Sequence, residues 1–156
     1  MGNLRIVLLA LLLTLSLACS AMALGNGIVI VKVGHGTYAS GVAIQNDGKI
    51  LISASSFFAD QGRSILIRRN ADGSTDQSFG HDGMVTTGFP DHYIESEGMA
   101  LQPDGKAVLA GRIVPMNRKD KSSGRTNDDV VVVRYTPDGK LDKRFNGSGW
   151  VKTDID

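Results

Sequence analysis

The chain carries the same stretch twice, and this duplication restricts its fold more than any other property. Gly41-Val42-Ala43-Ile44-Gln45-Asn46-Asp47-Gly48-Lys49 is answered by Gly98-Met99-Ala100-Leu101-Gln102-Pro103-Asp104-Gly105-Lys106 at an offset of 57. Ile67 to Gly73 is answered by Val133 to Gly139, and Asp76, Phe79, Gly83, Val85 and Thr87 by Asp142, Phe145, Gly149, Val151 and Thr153, now at an offset of 66. The nine extra residues fall between Ile113 and Asn127, a polar, charged and aperiodic segment with the character of a surface loop. Repeats of this length stack on their neighbours to bury a shared core.

Inside each copy the pattern is that of short strands. Lys49-Ile50-Leu51-Ile52-Ser53-Ala54, Ser64-Ile65-Leu66-Ile67-Arg68 and Val130-Val131-Val132-Val133 are apolar, largely β-branched and bounded by Asp-Gly pairs, which favour tight hairpin turns. Nothing after residue 23 sustains a 3.6-residue period. The expected strands are 41–46, 49–55, 64–69 and 83–88 in repeat one (41–88), then 98–103, 106–112, 130–135 and 149–154 in repeat two (98–154), after a leading strand at 28–33. The predicted class is all-β: two four-stranded antiparallel blades of β-propeller type and part of a third.

The run Gly98 to Lys106, followed by Val130 to Gly139 and by Leu141-Asp142-Lys143-Arg144-Phe145-Asn146-Gly147-Ser148-Gly149-Trp150-Val151, resembles the delta-60 repeat, a bacterial family of β-propeller repeats. Gly41 to Lys49 and Ile65 to Val85 resemble it equally, with Asn70-Ala71-Asp72-Gly73-Ser74-Thr75-Asp76 and Phe79-Gly80 inside the match. The resemblance implies the propeller fold and carries no shared activity or catalytic residue. Because propellers close with about four to eight blades, two blades predict an open ring. Its uncovered face and strand edges favour self-association or completion by further repeats.

Residues 1–23 have a different character. A basic Arg5 precedes an apolar run of about 13 residues, Ile6 to Ala18, and the small-residue triplet Ala21-Met22-Ala23. This is the plan of a secretory signal peptide, and the run is shorter than the roughly 20 residues that span a bilayer. Cleavage after Ala23 is expected, leaving 24–156 as the repeat domain in a secreted or periplasmic location. The alternative is a lipid anchor on Cys19, since Leu17-Ala18-Cys19 is part of a lipobox, with Ser16 where a branched apolar residue is expected. The processed chain holds 16 basic and 16 acidic side chains and no cysteine, so burial and strand pairing must stabilise it without disulfides. A formal net charge of +1 for the whole chain argues against nucleic acid as a partner.

Chemistry-bearing motifs are few. Gly34-His35-Gly36-Thr37-Tyr38-Ala39 has dinucleotide-loop spacing, but it leads into a repeat strand where that motif must open a helix, so no cofactor is expected. His35, His81 and His92 lack a neighbouring His or Cys at ligand spacing. Asn70, Asp72 and Asp76 group oxygen atoms in a turn but depart from the EF-hand order, and the second copy has Thr136 in place of Asn70, so they are read as turn-capping residues and no metal is expected. Asn146-Gly147-Ser148 is formally a glycosylation sequon. There is no G-x-S-x-G, H-E-x-x-H or P-loop, which disfavours an enzyme. A binding or scaffold module with an unknown ligand is the leading expectation, with a repeat fragment lacking independent function as the alternative. In an up-and-down sheet, alternate connections share an edge. The two-residue Asp-Gly turns are therefore expected on one edge and the longer loops on the other, where Phe57, Phe58, His92, Tyr93 and the insert residues Arg118, Lys119, Lys121 and Arg125 form the candidate binding edge.

Overall fold

A computed structural model describes residues 22–24, 28–31, 33, 36–58, 61–116 and 128–155. Among them there is no helix. Strands β3 (Thr37–Ile44), β4 (Ile50–Phe58), β5 (Gln61–Arg69) and β6 (Met84–Thr87) form one antiparallel sheet in chain order. Strands β7 (His92–Leu101), β8 (Ala107–Pro115), β9 (Asp129–Tyr135) and β10 (Trp150–Thr153) form a second, and β1 (Met22–Leu24) pairs with β2 (Ile28–Ile30). This is the predicted architecture: two blades, no closed ring, with residues 1–21 of the expected signal peptide outside the described residues.

Several strands differ in extent from the expectation. The leading strand is shorter than 28–33 and has gained a partner in β1, which straddles the expected cleavage point. Strand β3 begins at Thr37 and β7 at His92, each several residues before the repeat similarity starts. Each of these strands carries a bulge, between Ala39 and Gly41 and between Ser96 and Gly98, where the register with the neighbouring strand shifts and pairing continues on both sides. A bulge adds an unpaired residue and re-aims the strand. The two copies are alike from the bulge glycine onward and differ before it, so self-comparison detected only the later part of each inner strand.

The Asp-Gly turns differ in kind as well. In four of the five, only the glycine takes positive φ, +81° at Gly48, +84° at Gly73, +79° at Gly105 and +86° at Gly139; in the fifth both residues do, Asp82 at +50° and Gly83 at +76°, with His81 N–H donating to Met84 O at 2.8 Å and Met84 N–H to His81 O at 3.0 Å. Gln45 N–H donates to Lys49 O at 2.8 Å and Gly48 N–H to Gln45 O at 2.9 Å, and Gln102 with Lys106 and Gly105 repeats this pattern. The first four are three-residue hairpin loops with the left-handed position filled by glycine, in place of the expected two-residue turns, whereas Asp82-Gly83 is the two-residue turn expected. Those four lie on one edge of the two sheets. The long connections 70–83 and 136–149 return on that same edge, so loop length does not separate the edges as expected.

The two sheets pack face to face, with β7 lying against the face formed by β3, β4 and β5. Alternation along each strand sends Leu51 and Leu66 from the first sheet, and Leu109, Ile113, Val131 and Val133 from the second, into one buried core. Polar groups cross the same boundary in satisfied pairs: Ser96 N–H donates to Ser55 Oγ at 2.7 Å, Tyr135 OH to Thr87 Oγ1 at 2.6 Å and Arg68 Nη1 to Pro137 O at 2.7 Å. Burial without such partners would cost each group its hydration, so the pairs also fix the relative register of the sheets. On the far side of the first sheet, Ala54, Ile65 and Ile67 form a smaller cluster covered by Val31 and Val33 of the leading segment.

Candidate functional site

The edge at which β3 and β7 begin and β4 and β8 end is the candidate site. Phe57 and Phe58 close β4 and pair in register with Gly62 and Gln61 of β5, a continuation of the strand where a loop was expected. His92 and Tyr93 open β7, opposite Pro115 and Val114. Tyr93 packs on Gly62, where an added Cβ would lie 3.0 Å from Tyr93 Cδ1, so the glycine lets the tip of the β4–β5 hairpin approach β7. His92 Nδ1 sits 2.8 Å from Pro90 O, and Met116 N–H donates to Asp91 O at 2.8 Å, tying the exit of β8 to the entry of β7. Arg63, Phe89, Pro90, His92 and Met116 border a cleft of about 420 Å³ at this edge. Arg118, Lys119, Lys121 and Arg125 lie outside the described residues, but the segment that carries them leaves from Met116 and returns at Asp128, at the same edge.

A second cavity, about 530 Å³, opens between the inner strands β3 and β7 and is lined by Tyr38, Ser40, Ser55, Glu95, Ser96 and Glu97. Its hydroxyls are already engaged: Ser40 Oγ lies 3.0 Å from Ser53 Oγ, and Ser64 Oγ lies 2.9 Å from Ser96 Oγ. Arg112 pairs with Glu95 and donates to Asp128 Oδ2 at 2.9 Å. The Glu95 hydrogen bond, with help from Asp128 and against the effect of burial, raises the Arg112 guanidinium above its ordinary value. Glu95 and Arg112 escaped the sequence analysis because both lie outside the stretch that the two copies share. A motif search has no signal for a pair joined only by strand register.

The oxygen-rich turn is occupied by its own chain. Asp72 Oδ1 accepts from Ser74 N–H at 2.9 Å and from Ser74 Oγ at 2.6 Å, and these bonds hold its carboxyl below the usual range. Asp76 is buried and receives Arg68 Nε at 2.7 Å, Lys49 Nζ at 3.0 Å and Ser78 Oγ at 2.6 Å. Burial pushes its carboxyl up, but Ser78, Lys49 and Arg68 outweigh burial and hold it well below the carboxylate range. The second copy repeats the arrangement with Arg134 Nε 3.0 Å from Asp142 Oδ2, and each guanidinium stacks on a ring, Arg68 on Phe79 and Arg134 on Phe145. Asp76 and Asp142 thus anchor their long loops to the sheets. Among the described residues no three His, Cys, Asp or Glu side chains gather where they could hold a metal ion.

Residues 45–79 and 121–145 match a family model described as a domain of unknown function (DUF5122) beta-propeller. No curated protein and no solved structure matched the chain. The two matched stretches end at Phe79 and Phe145, equivalent positions of the two sheets, so the match and the internal repeat agree on the unit. The chain is therefore an all-β protein of two β-propeller-type blades without a closed ring, its repeats similar to those of a β-propeller family of unknown function.

Proposed function

We propose that the protein is an exported, non-enzymatic binding or scaffold module built from delta-60-type repeats, and that it presents its ligand surface at the edge carrying Phe57, Phe58, His92, Tyr93 and the basic insert. One observation carries this reading. The strand segments before the bulges, where the two blades differ from each other, begin at this single edge, the flanks of the insert, Met116 and Asp128, stand at it too, and the shared parts form the packed scaffold. Recognition is commonly placed on variable segments held by a rigid sheet. Export rests on the leader-like residues 1–23, whose Arg5, apolar run and Ala21-Met22-Ala23 have the signal-peptide order.

The test uses protein recovered from the extracytoplasmic fraction. Its intact mass is expected to correspond to a chain beginning at Leu24, and a mass retaining residues 1–23 or an acylated Cys19 would contradict processing at Ala23. The recovered chain is then applied to arrays of immobilised peptides and polysaccharides. Binding is expected to fall at least tenfold in a Tyr93→Ala, Arg118→Ala, Lys119→Ala variant and to be unchanged in Asp47→Ala, which alters the opposite edge. Binding insensitive to the first variant, or chemical conversion of an arrayed compound, would defeat the reading.

A further inference from the structure

The contacts that join the two blades are offered again, unused, on their outer faces. In the second sheet Met99 and Leu101 pack against the core between the blades. Their equivalents in the first sheet, Val42 and Ile44, are 69% and 70% exposed. In the other direction, Leu66 and Phe79 are buried between the blades, whereas their equivalents Val132 and Phe145 are only partly covered; Val130, two residues before Val132 in β9, is 40% exposed, and Ile155, the equivalent of Phe89, is 63% exposed. An added Cβ at Gly41 would lie 3.1 Å from Met99 Cβ, yet at Gly98, its equivalent, the same atom meets nothing within 4 Å. Most of the exposed large apolar residues are therefore found where the repeat places interface residues.

The leading segment shows how the outer face of the first sheet is seated. Gly73 lies under Val29 of β2 as Gly139 lies under Val85 of β6, with an added Cβ 2.7 Å from Val29 Cγ2 in one case and 2.8 Å from Val85 Cγ2 in the other. Gly27-Ile28-Val29 also has the form of Gly83-Met84-Val85 and Gly149-Trp150-Val151. Strand β2 thus holds the place that the outermost strand of a preceding blade would take. It fills that place incompletely: Val29, Val31, Ile52 and Ala54 border a cavity of about 810 Å³. Arg69, 3% exposed, stands at the position of Tyr135, and its Nε has no acceptor. Tyr135 finds its acceptor across the blade boundary, in Thr87.

We propose that a second copy of this chain fills both faces head to tail. The open face of β8–β10 in one copy seats the face of β3–β5 in the next, β10 taking the place held by β2, Thr153 meeting Arg69 as Thr87 meets Tyr135, and Arg134 reaching the Ala71 carbonyl as Arg68 reaches that of Pro137. The occupant is a copy of this chain because both halves of the contact are present on it and are already used once, inside it, at the equivalent positions of the repeat. A contact between two different surfaces closes into a ring when its rotation allows. At two blades per copy and about four to eight blades per ring, the product is a closed assembly of two to four copies.

Light scattering on the full processed chain, with concentration varied, tests this against two variants altered only at exposed positions. Val42→Asp with Ile44→Asp blocks one face, and Val130→Asp with Ile155→Asp blocks the other. The unaltered chain is expected at a discrete mass of two to four copies. Each variant alone is expected as a monomer with an unchanged circular dichroism spectrum, and an equimolar mixture of the two as a one-to-one dimer that grows no further, since each retains the face the other lacks. Val29→Ala, which loosens the seat of β2, is expected to lower the concentration for assembly several-fold. A monomeric unaltered chain at micromolar concentration, open-ended growth, or a mixture that stays monomeric would overturn the head-to-tail contact. An unchanged threshold in Val29→Ala would overturn the exchange of β10 for β2.

Discussion

Phe79→Ala is expected to destabilise the protein by about 3–5 kcal/mol, whereas the equivalent change Phe145→Ala should cost roughly 1–2 kcal/mol. The two rings occupy the same place in their repeats, each under a stacked arginine. Phe79 is 1% exposed and fills the boundary between the blades, against Gly139 and beside Val85. Removing it leaves a cavity that the two sheets cannot close without moving apart, so the transfer and cavity terms add. Phe145 lies on the open face of the second sheet, where water replaces the lost ring and no enclosed void forms. Denaturant unfolding at a concentration where the chain is monomeric measures both changes. Equal costs would show that position in the repeat matters more than the boundary. In an assembled sample the two costs should converge, because Phe145 would then be covered as Phe79 is.

Asp76→Asn should be the most damaging isosteric polar change, about 3–5 kcal/mol at neutral pH, because it strips a buried charge pair of one partner. The Arg68 side chain is 9% exposed and Asp76 6%, so the guanidinium is left with little water to screen it. Asp142→Asn should cost less, since Arg134 is 21% exposed and Lys106 stands 3.9 Å away. The pH dependence follows from the depressed carboxyl of Asp76. Its contribution is complete above the unfolded carboxylate value of about 3.9. It is lost as the pH falls below that toward the lower folded value, because protonation then becomes favourable in the unfolded chain first. The stability difference between the unaltered protein and Asp76→Asn should thus be constant from pH 5 to 8 and shrink below about pH 4. A difference that stays level down to pH 3 would mean that Asp76 acts through shape rather than charge.

The candidate edge was legible in part. Tyr93 and His92 come to the same end of the molecule as Phe57 and Phe58, which follows from strand order alone, since alternate connections share an edge. The close approach of Tyr93 to Gly62 and the Arg112 ion pairs to Glu95 and Asp128 were not legible. Both depend on which residues a bulge places opposite one another, and a one-residue shift in register reverses the face each side chain points to.

From the residues themselves came the unit, its number and its class. Two offsets of 57 and 66, β-branched runs and five Asp-Gly pairs require two antiparallel four-stranded sheets, because period-two runs between turn residues pair locally and a repeat must stack on its copy. The turn glycines were also legible, as the left-handed position of each hairpin loop excludes a Cβ at little cost only for glycine. Tertiary structure alone decided which member of each equivalent pair is buried. Leu66 and Val132, or Met99 and Val42, are interchangeable as sequence, and they differ only in whether a neighbouring sheet stands against them. Burial in a stacked repeat is a property of the interface between units, and no residue carries it by itself.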